Sequence, residues 1–481
     1  RGRDSNPRRA FDPRPLSKRV PSATRSPLLE AAGNYHQLAR RQERQAGATA
    51  STRQSLRGAR IVRPLISGSK SSQIATIAAL LVAYASLYLC RANVEAATPF
   101  LHVEEGLSLE RIGVLSTVAT LAYAVGKVAM GALGDILGGR RLMLLAIAGS
   151  IVCSVSFGRS HTFAAFLIFA AANRFFLAGG WPGLVQVVSR RFEPARYGRV
   201  MGILSTSYEL GNACALVLSG LVVHWGWRAL FIVNPALLAL VGGTAVLSLR
   251  APRQEAPVAP TDHGTEVVAD TGEPPVTLME VLRKLVRSGA FWATLALSAL
   301  LTFIRVAFLS WTTLYLSNLT HATGRAEISG AIVKSALFPA AGVVAAVSVG
   351  AWSDRLGPGR RAPIIAASLA VVVVLVELLG HAGVRGTLPA ALLIGAVGLF
   401  LLGPYSLLAG AIALDVAGPR GASTASGVID SAGYFAGAAA GIVLGVLAEK
   451  RGWSSVFDLI AATALAATLI AAGWALTTRK R

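Results

Sequence analysis

Long apolar runs separated by short polar connections dominate the chain beyond residue 73. Twelve of them approach or exceed the ~20 residues that a helix needs to cross the hydrocarbon core of a bilayer. They lie at 74–99, 111–134, 141–159, 162–187, 199–223, 228–249, 289–315, 327–352, 362–381, 386–412, 422–448 and 454–477. The pattern predicts an all-α integral membrane protein with twelve transmembrane helices. A hydrophilic stretch at 250–287, with Pro252, Pro257, Pro260, Pro274 and Pro275, divides the spans six and six. Its end, 278–287, has the pattern of a short basic amphipathic helix on the membrane surface. The expected layout is a basic extension at 1–72, a six-helix half at 73–249, a central loop at 250–287 and a second half at 288–481.

Composition agrees. The 481 residues are 53% hydrophobic and 15% charged, with a mean hydropathy of +0.57, against about 25% charged in soluble proteins. The net charge of +22 invites a nucleic-acid reading, but its distribution excludes one. Residues 1–72 hold 16 Lys and Arg against 4 Asp and Glu, and most of the remaining excess sits in alternate short connections. These carry Arg140 and Arg141, then Arg190, Arg191, Arg196 and Arg199, then Arg355, Arg360 and Arg361, then Arg420 and the tail; the opposite connections carry Glu104, Glu105 and Glu449. The bias places both termini in the cytoplasm, as an even number of spans requires, with the inner cell membrane as the expected location. The Arg-, Ser- and Pro-rich, acid-poor extension is expected to be disordered; its composition fits an organelle transit peptide or translated upstream sequence. Cys90, Cys153 and Cys214 lie inside apolar runs without metal-ligand spacing, and five of seven histidines fall in polar connections. No disulfide, metal, cofactor or enzyme chemistry is expected, and a small anion is the expected partner of a monomer in the bilayer.

Charges inside the spans carry the chemistry. Span 1 contains Arg91, and Tyr84, Tyr88, Arg91 and Glu95 share one helical face. A charge near the middle of a span costs about 2.5–3.5 kcal/mol on insertion scales. Span 7 contains Arg305, span 2 Lys127 with Tyr123 one turn earlier, span 4 Arg174, and span 8 Lys334. Span 5 contains Glu209, and span 11 has Asp430 with Tyr434 one turn later. Five bases against three acids leave an excess that a mobile anion would neutralise. Two arginines facing each other about 10 Å apart repel by roughly 1–2 kcal/mol at an effective dielectric near 20, which favours a bridging anion. Guanidinium forks match carboxylate and phosphate oxygens, and Lys127 adds a point charge. The structural alternatives are an internal Arg91–Glu95 pair, and Glu209 and Asp430 as salt-bridge partners of Lys334 or Arg174.

The chain also repeats. GALGDILGGRR runs from Gly131 to Arg141 after span 2, and GAWSDRLGPGRR from Gly350 to Arg361 after span 8. Gly131 and Asp135 match Gly350 and Asp354 at an offset of 219 residues, and Arg305 follows Arg91 by 214. This duplication resembles the major facilitator superfamily, whose signature loop has this pattern. The resemblance implies two pseudo-symmetric six-helix halves. Gly131 and Gly350 are expected to permit close helix approach, and Asp135 and Asp354 to pair with Arg140, Arg141, Arg360 or Arg361 in gating. NRFFLAGGWPG at 173–183 is similar to the superfamily's span-4 pattern, with Arg174 as its arginine.

The stretches at 88–101, 123–135, 179–182, 304–316 and 425–437, with Gly403 and Pro404, resemble a narrower family, the organophosphate:phosphate antiporters. The likeness implies Arg91 and Arg305 as phosphate ligands, assisted by Lys127 and by Tyr84, Tyr88, Tyr123 and Tyr434. Ala92, Gly211, Thr302 and Ser310 depart from the family, and Glu209, Asp430 and Lys334 are additions of this chain. The expected function is transport of an organic phosphate ester or related anion, in exchange for inorganic phosphate. Proton-coupled symport, with Glu209 or Asp430 titrating, is an alternative. A sugar-phosphate membrane sensor that signals to a partner kinase is another.

Overall fold

The computed structural model describes residues 70–192, 194–249, 285–322, 324–356, 361–383, 386–408 and 422–479, together with 283 and 412. The extension 1–69 and most of the central loop and its amphipathic segment lie outside the described residues. Among those described, eleven helical stretches are long and apolar enough to cross a membrane. In chain order, spans 1 to 10 are Ser71–Val103, Leu109–Leu137, Gly139–Arg159, Phe163–Arg191, Val200–Trp225, Trp227–Ser248, Gly289–Asn318, Arg325–Val349, Arg361–His381 and Thr387–Leu407. The last stretch, Gly427–Thr477, has 51 residues, more than twice the ~20 of one crossing. It breaks at Gly452, whose φ of 79° and ψ of 176° are left to glycine by the absence of a Cβ. Spans 11 and 12 lie on either side of that break, which completes the expected twelve.

Polar residues mark where spans begin. Ser108, Thr162 and Ser288 each accept a hydrogen bond from the backbone N–H three residues on, at the starts of spans 2, 4 and 7, satisfying one otherwise orphaned donor. Two spans are interrupted in mid-course. Span 1 is two helices, Lys70–Arg91 and Asn93–Val103, and span 4 is Phe163–Leu177 and Gly180–Arg191. Pro182 falls in the first turn of the latter helix, where its missing N–H removes no helical bond. A buried amide network of Asn93, Ser154, Ser219 and Asn234 ties spans 1, 3, 5 and 6 together, polar bonding that apolar surroundings cannot replace.

Spans 2 and 11 run antiparallel and meet along an ordered ladder. Glu449 Oε2 accepts from the N–H groups of Leu109 and Glu110 at 2.6 and 3.3 Å, a carboxylate at the positive end of a helix dipole. Next, Gly113 packs on the backbone of Gly441, so that a Cβ at either position would strike the other's carbonyl oxygen. Thr117 Oγ1 then donates to Ala438 O at 2.7 Å and accepts from Ile442 N at 2.8 Å. The Tyr123 and Tyr434 rings follow, 5.0 Å apart, and an ion pair between Lys127 and Asp430 ends the ladder. Spans 5 and 8 meet at the same end, where Ser329 Oγ donates to Gly220 O at 2.7 Å. The halves are therefore joined at the end bearing Glu104, Glu105 and Glu449.

At the arginine-rich end the arrangement differs from expectation. A Cβ on Gly131 would meet nothing within 4 Å, so Gly131 does not mediate close approach here. That contact is made between Gly139 and Gly183, whose backbones touch between spans 3 and 4. Asp135 Oδ1 accepts from Gln186 Nε2 at 2.8 Å. Arg140 donates to Val246 O and Leu247 O at 3.3 and 3.1 Å, satisfying carbonyls that the end of span 6 leaves open. Arg141 is exposed and Arg361 buried. The side chains of Asp354 and Arg360, and the surroundings of Gly350, lie outside what the structure describes.

Candidate anion site

Among the described residues, three cation–carboxylate pairs occupy the middle of the bundle, and two of them join the halves. Lys127 of span 2 pairs with Asp430 of span 11. Arg305 of span 7 donates from Nη2 to Glu209 Oε1 of span 5 at 3.1 Å. The third, Arg174 with Glu95, lies within the first half and joins spans 4 and 1. These pairings correct the sequence alternatives: Glu95 pairs with Arg174 and not with Arg91, and Glu209 and Asp430 take Arg305 and Lys127 instead of Lys334 or Arg174. Lys334 donates to the Thr387 hydroxyl at the start of span 10.

Arg91 is the cation left over. It ends the first helix of span 1, beside the interruption at Ala92, and among the described residues no carboxylate lies within ion-pair distance of it. Its guanidinium instead sits over aromatic faces, 4.7 Å from the Tyr123 ring centroid and 5.5 Å from that of Tyr88. Cation–π contacts of this kind contribute about 0.5–2 kcal/mol and leave the N–H donors available.

Arg91 also lines a cavity between the halves, with Glu95, Arg174, Ser116, Ser310 and Trp311 around it. About 40 Å³ of it is open to the centres of water molecules, room for about three waters. Among the described residues, neither the indole Nε1–H of buried Trp311 nor Oε2 of Glu95 has a hydrogen-bond partner. A sugar phosphate would fit this space only if the surrounding side chains moved. Tyr123 and Tyr434 line the cavity on the side toward the arginine-rich end, with Lys127 and Asp430 one turn beyond.

The predicted tyrosines divide into layers. Tyr88, Tyr123 and Tyr434 face cations, with Lys127 Nζ 4.4 Å from the Tyr434 centroid. Tyr84 packs edge-on against Tyr88 and Trp181 at 5.9 and 5.3 Å, one shell further out. Two more aromatics escaped sequence reading. Tyr405 and Tyr208 hold the Arg305 guanidinium at 5.0 and 5.5 Å. The signal was present, since Tyr208 precedes the intramembrane Glu209 and Tyr405 follows Gly403 and Pro404. Arg305 itself, 3% exposed, is absent from the cavity wall. The structure thus brings Arg91 to the cavity and holds Arg305 back on Glu209.

This charge set can receive a small anion. Comparisons with known proteins agree. The model of the Major Facilitator Superfamily matches residues 80–441. A probable hexose phosphate transport protein of Chlamydia trachomatis is 26% identical over 410 residues, covering 81% of this chain and 88% of the relative. The membrane sensor protein UhpC of Salmonella typhimurium is 28% identical over 286 residues, 58% of this chain and 64% of the relative. Among solved structures, a bacterial homologue of the human lysosomal transporter Spinster superposes with a TM-score of 0.67 over 86% of this chain and 98% of its own, at 16% identity, which shows the shared fold. The chain belongs to the Major Facilitator Superfamily and is a multi-pass membrane transporter, not an enzyme.

Proposed function

We propose that the chain carries a phosphate ester across the membrane by alternating access, exchanging it for inorganic phosphate. The observation that carries this reading is Arg91, a mid-membrane cation without a carboxylate partner among the described residues, facing a cavity between two halves. Four cations against three carboxylates leave one positive charge in the middle of the bundle. Uncompensated charge is costly to move through a low-dielectric barrier, so the loaded protein crosses more readily than the empty one. Arg91 anchors the phosphoryl group, and Arg305 and Lys127 join it as the halves close. With the arginine-rich loops in the cytoplasm, the ladder from Glu449 to Thr117 closes the outer side.

A second reading, binding without flux, is favoured by the 28% identity to the sensor UhpC. Reconstituted vesicles separate the two. Uptake of labelled phosphate and of hexose 6-phosphate should require phosphate inside the vesicles. Binding of either with no flux would select the sensor.

A further inference from the structure

The geometry points to Glu209 as a built-in substitute for the transported anion. We propose that anion binding displaces Glu209 from Arg305 and that the freed carboxylate then takes up one proton. The inference rests on the anion site proposed above.

The pair is only half made. Arg305 reaches Glu209 through Nη2 alone, while Arg305 Nε and Glu209 Oε2 are both buried without a partner among the described residues. A guanidinium–carboxylate pair ordinarily satisfies both through two parallel bonds. A phosphoryl group, with three oxygens, can engage Nε and Nη2 together, so Arg305 has more to offer an incoming anion than it gives Glu209. Joining Arg91 at the cavity also requires Arg305 to leave this carboxylate.

Once released, Glu209 has nowhere to put its charge. It is 1% exposed. Span 8 offers it Gly342, whose Cβ position lies 3.4 Å from the carboxylate carbon. Tyr208 on its own helix and Tyr405 of span 10 flank the guanidinium, and Arg91 of span 1 is the further cation in electrostatic range. An unpaired carboxylate in such a place is expelled or neutralised. Asp430 contrasts with it, its side chain being 29% exposed, so water can carry its charge when Lys127 turns to an anion.

Charge balance gives the same count. The site holds one net positive charge, and a phosphate monoester above its second ionisation brings two negative charges. A single proton restores neutrality. It arrives from water on the open side, forms an O–H bond on the Glu209 carboxylate, and returns to water when the anion leaves and the Arg305 pair reforms.

Calorimetry of inorganic phosphate binding to the purified full-length protein tests this at about pH 8, where phosphate groups are mostly dianionic. Running it in two buffers of different ionisation enthalpy counts the protons exchanged. The wild type is expected to take up about one proton per anion, its affinity falling about tenfold per pH unit over this range, as linkage requires. Glu209→Gln is expected to bind phosphate at least as tightly, with about none taken up, and Glu209→Asp to retain uptake. Binding by the wild type without proton uptake overturns the proposal, whatever the variants do. So does undiminished uptake by Glu209→Gln, which would put the proton on the phosphate. Failure of the wild type to bind any phosphate ester or phosphate overturns the anion-site reading itself, and this inference with it.

Discussion

Glu95 gives its carboxylate to Arg174 of span 4, and not to Arg91, four residues earlier on its own span. The buried Arg174 claims the acid. Breaking a buried pair by removing one partner costs about 3–5 kcal/mol, because the other charge is orphaned. Glu95→Gln should lower the thermal stability of the detergent-purified protein accordingly. The double variant Glu95→Gln/Arg174→Gln should be more stable than Glu95→Gln alone. Equal, additive losses would mean that the two residues do not depend on each other.

The Gly113–Gly441 contact makes a second prediction. Leucine at position 113 has no room against the backbone of Gly441 and must separate spans 2 and 11. A cysteine at Ser116, just inside the contact, should then react about tenfold faster with a membrane-impermeant thiol reagent added outside, as a shift of about 1.4 kcal/mol between closed and open states would produce. An unchanged labelling rate would show that this contact does not close the outer side.

Much of this architecture was legible in the chain. Twelve spans follow from length and hydropathy, since an uninterrupted apolar run of this size has few other homes. The charged set at the site followed from the cost of placing charge in lipid. What sequence could not supply was the pairing. Glu209, Asp430 and Glu95 each had several cations to choose from, and the choice depends on how the spans are rotated. Gly131 misled because a small residue permits close approach without enforcing it. Tyr208 and Tyr405 do not stand out in the sequence, because aromatic residues in a span usually pack against neighbouring helices.

Tyr405 supplies a third prediction. Its ring lies 5.0 Å from the Arg305 guanidinium, and a cation–π contact of about 0.5–2 kcal/mol corresponds to a 2- to 30-fold effect. Because this contact is made while Arg305 is held on Glu209, Tyr405→Leu should strengthen phosphate binding within that range, whereas Tyr405→Phe, which keeps the ring, should bind within about twofold of wild type. Equal gains in both variants would assign the effect to the hydroxyl instead.

The central claim is that Arg91 receives the anion, and the affinity of the purified protein for inorganic phosphate tests it most directly. Arg91→Gln should lose at least about 100-fold, the equivalent of one bidentate, charge-assisted contact. Arg91→Lys, which keeps the charge and loses the fork, should fall between that variant and wild type. Both should keep close to wild-type thermal stability, because removing Arg91 orphans no carboxylate. Phosphate binding by Arg91→Gln at wild-type affinity would contradict the account.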